Sequence, residues 1–160
     1  MSNEVYGYVK SPNITDTADF FKKNEESLGI GIQEISIEEL YNFPEGMLPK
    51  ANDKFFAFIV GDRPGKTNAS YLTDYMDYSN EADIGLPRLG VERLNLLVEF
   101  FESVISRLSP DGFAVAITES NQVDFVKEVY AAELRTEIYK DFEFFQGSPD
   151  CIYSFLIDKL

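Results

Sequence analysis

The stretch from Val91 to Leu108 constrains this chain more than any other segment. Val91, Leu94, Leu97, Val98, Phe101, Val104, Ile105 and Leu108 step by three or four or sit side by side on one stripe, and Glu92, Arg93, Asn95, Glu99, Glu102 and Arg107 fall largely outside it. That period places the apolar side chains on one face of a helix. Ser109-Pro110-Asp111-Gly112 ends it. An apolar helical face must be covered by another layer. The continuous apolar runs Phe55 to Val60 and Phe113 to Thr118 read as core strands able to supply that layer.

The rest of the chain reads more weakly. Val5, Gly7 and Val9 alternate with Tyr6 and Tyr8 in a short strand that Ser11-Pro12-Asn13 ends. Thr15 or Asp16 caps a helix through about Ser27, and Gly29-Ile30-Gly31-Ile32 breaks it. Ser36-Ile37-Glu38-Glu39 is a capping box ahead of a short helix that Pro44 stops. Tyr71 to Tyr78 fits either regular structure, and strand is preferred. A helix is expected from Asn121 through Val123, Val126, Tyr130 and Leu134, after which Ile138, Phe142 and Phe144 fit a strand as well. Cys151 to Ile157 reads as a closing strand that pairs with its predecessor as a hairpin. Strands and helices mix without a regular βαβ cadence. The expectation is therefore an α+β fold: one globular domain over residues 1–160, with a mixed or mainly antiparallel sheet of about five strands on three to four helices.

Charge and missing residue types narrow the chemistry. With 28 acidic and 14 basic side chains the net charge is −14, which opposes nucleic acid and anionic membrane surfaces and favours a basic protein partner. There is no histidine, so histidine triads, proton shuttles and histidine-ligated catalytic zinc are excluded. The single cysteine, Cys151, forms no intramolecular disulfide and reads as a small buried residue on an apolar strand. MSNEVYGYVK lacks the basic and apolar regions of a signal peptide, and no apolar run approaches membrane-spanning length. A cytoplasmic protein is expected.

Two motifs fall short on spacing. Gly61-Asp62-Arg63-Pro64-Gly65-Lys66-Thr67 follows an apolar strand as a phosphate-binding loop does, but three residues separate its glycines where four are needed. The run Asp77 to Asp83 starts like a calcium loop, yet Ala82 and Arg88 occupy the positions that require glycine and a bidentate glutamate. No catalytic, cofactor-binding or metal-ligating residue is assigned.

The preferred candidate is a binding surface. Tyr71, Asp74, Tyr75, Asp77, Tyr78, Glu81 and Asp83, with Met76, lie in a stretch that contains no Lys or Arg. Tyrosine gives rigid contact area with a polar tip, and surrounding carboxylates orient a basic partner. The plainer reading is a half-buried strand with tyrosines inward and acids in water. Glu137 to Glu143 is a second acidic, aromatic candidate whose aromatics are expected to pack. At class level, a small, acidic, histidine-free chain is similar to bacterial immunity proteins, among them barstar-like inhibitors that cover a cationic active site with carboxylates. That likeness implies an inhibitor of a basic toxin or enzyme. A carboxylate-based enzyme or small-ligand domain is the alternative, and a structural protein forming a homo-oligomer is the third.

Overall fold

The computed structural model describes residues 3–28, 31–61, 70–79, 81 and 85–157. Six strands, β1 (Asn3–Lys10), β2 (Ile32–Glu34), β3 (Phe55–Val60), β4 (Gly112–Glu119), β5 (Phe125–Tyr130) and β6 (Cys151–Leu156), form one sheet in the order β2-β3-β1-β4-β6-β5. All neighbours are antiparallel except β5 and β6, which run parallel. The helices are α1 (Ile14–Leu28), the single turn α2 (Ser70–Thr73), α3 (Gly90–Leu108) and α4 (Leu134–Phe145). The architecture is α+β, with one strand more than the five expected.

Both faces of the sheet are covered, which explains the continuous apolar runs in β3 and β4. Val5, Val9, Phe58, Phe113, Val115, Ile117, Tyr153 and Phe155 pack with Phe21 of α1, Phe101 and Val104 of α3, and Ile138 and Phe142 of α4. On the other face the segment between β2 and β3 folds back, with two 3-10 turns at Ile37–Leu40 and Glu45–Met47. The capping box at Ser36 forms, with the Ser36 amide donating to Glu39 Oε2 at 3.1 Å. This segment lays Leu40 and Phe43 over Tyr6 and Tyr8, whose ring centroids lie 5.9 and 6.1 Å from that of Phe43.

Side-chain size sets how closely the central strands meet. Tyr8 sits between Ala57 and Ala114, and Tyr6 stands opposite Ala116, so small neighbours accommodate each ring. On the opposite side of β1, a Cβ on Gly7 would lie 2.1 Å from the Ala114 carbonyl oxygen. Glycine is required there by close approach.

The C-terminal third departs from the sequence reading. The stretch from Asn121 is not a helix. Left-handed Ser120 (φ 55°) and Asn121 (φ 62°) turn the chain, and β5 follows. The spacing of Val123, Val126 and Tyr130 looks helical only because the inward strand position between Phe125 and Val129 holds a charge, Lys127. Its ammonium donates to both oxygens of Asp141 on α4 at 2.9 Å, and Tyr153 of β6 donates its hydroxyl to Asp141 at 2.8 Å. Lys127 and Tyr153 are partners in the strand register, so one nearly buried carboxylate joins all three parts of a βαβ unit. Residues 138, 142 and 144 accordingly belong to a helix, and the last two strands are joined by a crossover, not a hairpin.

Cys151 is fully buried beside this network, and burial, with Asp141 adding to it, pushes its thiol up to about 12. Two outcomes are expected. Native protein resists a thiol reagent at pH 8 and reacts once unfolded. Asp141→Ala lowers unfolding free energy by about 2 kcal/mol in a denaturant titration, because the Tyr153 hydroxyl loses its acceptor and Lys127 keeps only Glu137.

Candidate functional site

Arg93 organises the stretch from Tyr71 onward. Helix α3 turns this side chain away from solvent, and the residue is fully buried. Among the described residues no carboxylate pairs with it. Instead Nε donates to the Tyr71 carbonyl (2.6 Å), Nη1 to those of Pro87 (2.8 Å) and Arg88 (2.6 Å), and Nη2 to those of Asp74 (3.0 Å) and Met76 (2.6 Å). All five N–H donors of a guanidinium are thereby satisfied. The Tyr78 ring covers it, with Cζ 4.6 Å from the centroid.

This arrangement replaces the strand expected at Tyr71 to Tyr78. Carbonyls that a strand would direct to a sheet ladder point at Arg93, so the chain forms one turn of helix at Ser70–Thr73 and then an irregular path. A segment without a base of its own receives one from α3.

The predicted surface residues divide accordingly. Asp74 accepts the Met76 amide through Oδ1 (3.0 Å) and the Tyr78 hydroxyl through Oδ2 (2.6 Å). Asp77 Oδ1 accepts the Gly90 amide at 2.7 Å and so caps the start of α3 from outside the helix. A Cβ on Gly90 would lie 2.5 Å from the Tyr75 carbonyl oxygen, so the helix end and the loop meet backbone to backbone. Tyr71 and Tyr78 are half-buried, with ring centroids 5.8 Å apart. Glu81 is exposed, and Asp83 lies outside the described residues, as do 62–69 of the glycine-rich loop.

The two acidic, aromatic stretches meet through Tyr75. Its hydroxyl donates to Glu143 Oε2 at 2.7 Å and its ring lies 6.3 Å from that of Phe142. Glu137 and Asp141 of the second stretch turn to Lys127 instead. Three segments therefore adjoin: the loop at 74–77, the start of α3 and the end of α4. They carry Met76, Leu89, Val91, Phe144 and Phe145, five of the nine exposed large apolar side chains among the described residues. Asp77, Glu92 and Glu143 are exposed on the same segments, and Glu81, Arg88 and Lys140 are exposed nearby in sequence. The sequence reading missed the part of this surface at the end of α4. Its signal was Phe144 falling off the stripe set by Leu134, Ile138 and Phe142.

No protein-family model, no curated protein and no solved structure matches the chain.

The phenols report on this organisation. The hydrogen bond to Glu143, with burial and nearby charge, pushes Tyr75 up to about 12, and burial with the bond to Asp74 pushes Tyr78 up to about 12. Both contribute their full stability below pH 10, the ordinary value for the unfolded chain. Above it the unfolded state loses its protons first, so stability falls as pH rises from 10 toward 12. Spectrophotometric titration near 295 nm is expected to show Tyr75 and Tyr78 among the late-ionising phenols, with Tyr6, Tyr8, Tyr139 and Tyr153, and Tyr75→Phe and Tyr78→Phe each to remove one phenol from that set. Arg93→Met takes a donor from five carbonyls, of which that of Arg88 keeps the Tyr78 amide at 2.9 Å, and is expected to lower unfolding free energy by about 3 kcal/mol or more.

Proposed function

We propose that this chain is a docking domain for a basic protein, an immunity-type inhibitor that covers its partner's cationic surface. The observation that supports this reading is the junction at Tyr75, where three segments that carry exposed apolar and acidic side chains adjoin. Exposed apolar area set among charged side chains suits association.

The division of labour follows from the geometry. Asp74 and Asp77 shape the loop, so their first role is structural. Glu81, Glu92 and Glu143, at the rim, supply long-range attraction, to which the net charge of −14 adds. Phe144 and Met76, 79% and 71% exposed, are the anchors that a partner would bury. Arg93 holds the loop rigid beforehand, which reduces the ordering cost of binding.

Capture of the retained protein from the native cell at low salt, followed by titration with the purified partner, tests the reading. Phe144→Ala and Met76→Ala are each expected to weaken binding by about tenfold without lowering the melting temperature. Glu92→Gln is expected to slow association, and added salt to do the same. Undiminished affinity in the Phe144→Ala, Met76→Ala double variant would sink the assignment.

A further inference from the structure

The sheet ends on two unequal edges. β2 closes one with three residues, whereas β5 closes the other with six, Phe125 to Tyr130. Among the described residues no strand pairs with the outer side of β5, so alternate backbone N–H and C=O groups along it face away from β6. Exposed apolar side chains flank this edge on both faces. On the face away from α4, Val126 and Tyr130 are 43% and 56% exposed, and Tyr130 stands beside Leu156, also exposed, in the strand register. On the helical face the exposed Phe145 ring stacks on Phe125 at 6.0 Å, and Phe144 stands edge-on to Phe145 at 4.9 Å. The edge is thus continuous with the end of α4 that contributes to the Tyr75 junction.

Charge and register decide what can lie there. Asp124, Glu128 and Glu133 are exposed along the edge, and the base of the strand, Lys127, turns inward to Asp141 and Glu137. A second copy is a poor occupant. Two antiparallel β5 strands in one sheet are related by a two-fold axis normal to it, and that axis must pass through a residue because successive side chains lie on opposite faces. The two registers of greatest overlap centre on Lys127 or on Glu128, and each sets a charge directly opposite its own counterpart. The net charge of −14 opposes that pairing further. A strand from a basic chain meets neither obstacle. A base opposite Glu128 pairs with it, and apolar residues two positions to either side cover Val126 and Tyr130.

We propose that β5 accepts an extended segment of the basic partner, with Lys or Arg between apolar residues at every second position, as an added strand of the sheet. Backbone hydrogen bonds to β5 supply affinity, and Val126, Glu128 and Tyr130 select the alternate side chains. A helix packed on this edge would bury the outward backbone groups unpaired, whereas an extended chain pairs them. Where β5 ends, a groove of about 410 Å³ lies between Ile105, Tyr130, Ala131, Leu156 and Ile157, and Glu133 is the charged residue of its described lining. A further Lys or Arg of the segment lays its aliphatic stem on those walls and its charge on Glu133. This inference rests on the docking role proposed above and names the part of the partner that the β5 edge holds.

The test titrates the intact chain, labelled with ¹⁵N, with the peptide acetyl-Lys-Val-Thr-Arg-Thr-Val-Thr-amide. Controls are the same peptide with Glu in place of Lys and Arg, and two versions N-methylated at alternate residues, one on Val, Arg and Val and the other on the three Thr. Saturable amide shifts are expected at Phe125 to Tyr130, with slowed hydrogen exchange at every second one, since the others already face β6. One N-methylated version is expected to lose binding and the other to keep it, because only one set of peptide amides faces β5. Glu128→Arg is expected to weaken the basic peptide by about fivefold and to strengthen the glutamate peptide. No saturable shifts at millimolar peptide, shifts without alternate protection, equal binding of the basic and glutamate peptides, or equal loss in both N-methylated versions overturns the proposal. Shifts at Phe125 to Tyr130 that depend on protein concentration without peptide mark self-pairing and also overturn it. Met76→Ala is expected to leave peptide binding unchanged, so failure here is distinct from failure of the Tyr75 surface.

Discussion

Burial of the Arg93 guanidinium among backbone carbonyls is the interaction on which the candidate surface depends. A buried charge is costly unless its hydrogen bonds are complete, and here five carbonyls from two segments complete them. The converse matters equally. Those carbonyls are withheld from any sheet, and apart from that of Arg88, which also accepts the Tyr78 amide, they rely on the guanidinium. One side chain on the most regular helix of the chain thus fixes its least regular segment. Asp77 at the Gly90 amide and Tyr75 against Glu143 then attach that segment to the ends of α3 and α4.

A second polar contact does comparable work at the C-terminal edge. Asp141 receives Lys127 and Tyr153, which ties α4 to β5 and β6 and supports the one parallel pairing in an otherwise antiparallel sheet. Both devices place a charge where an apolar residue would be ordinary. Both also fix the positions of α3 and α4, on which Val91 and Phe144 are exposed.

The two faces of the sheet have different characters. The helical face is closed by aromatic packing, with the Phe21 ring stacked on Phe56 and tilted against Phe58, each at 4.8 Å between centroids. The opposite face is covered by a loop segment, and a loop covers a sheet less completely than a helix does. Val126, Tyr130 and Leu156 are what that incomplete cover leaves exposed.

Periodicity was enough for the regular parts. The helix at Gly90–Leu108, the strands at Phe55–Val60 and Gly112–Glu119, the capping box at Ser36 and burial of Cys151 all follow from local pattern, because local burial produced each pattern. The acidic balance and the absence of histidine chemistry are likewise properties of the chain itself. Local pattern misled where a charge occupied an inward position. Lys127 disguised a strand as a helix, and Arg93 drew Tyr71 to Tyr78 out of the extended form. The meeting of Tyr75 with Glu143, 68 residues apart, was decided only by the tertiary structure. The sequence contains both acidic, aromatic stretches, but their adjacency depends on which helix ends the sheet brings together, and no spacing along the chain encodes that.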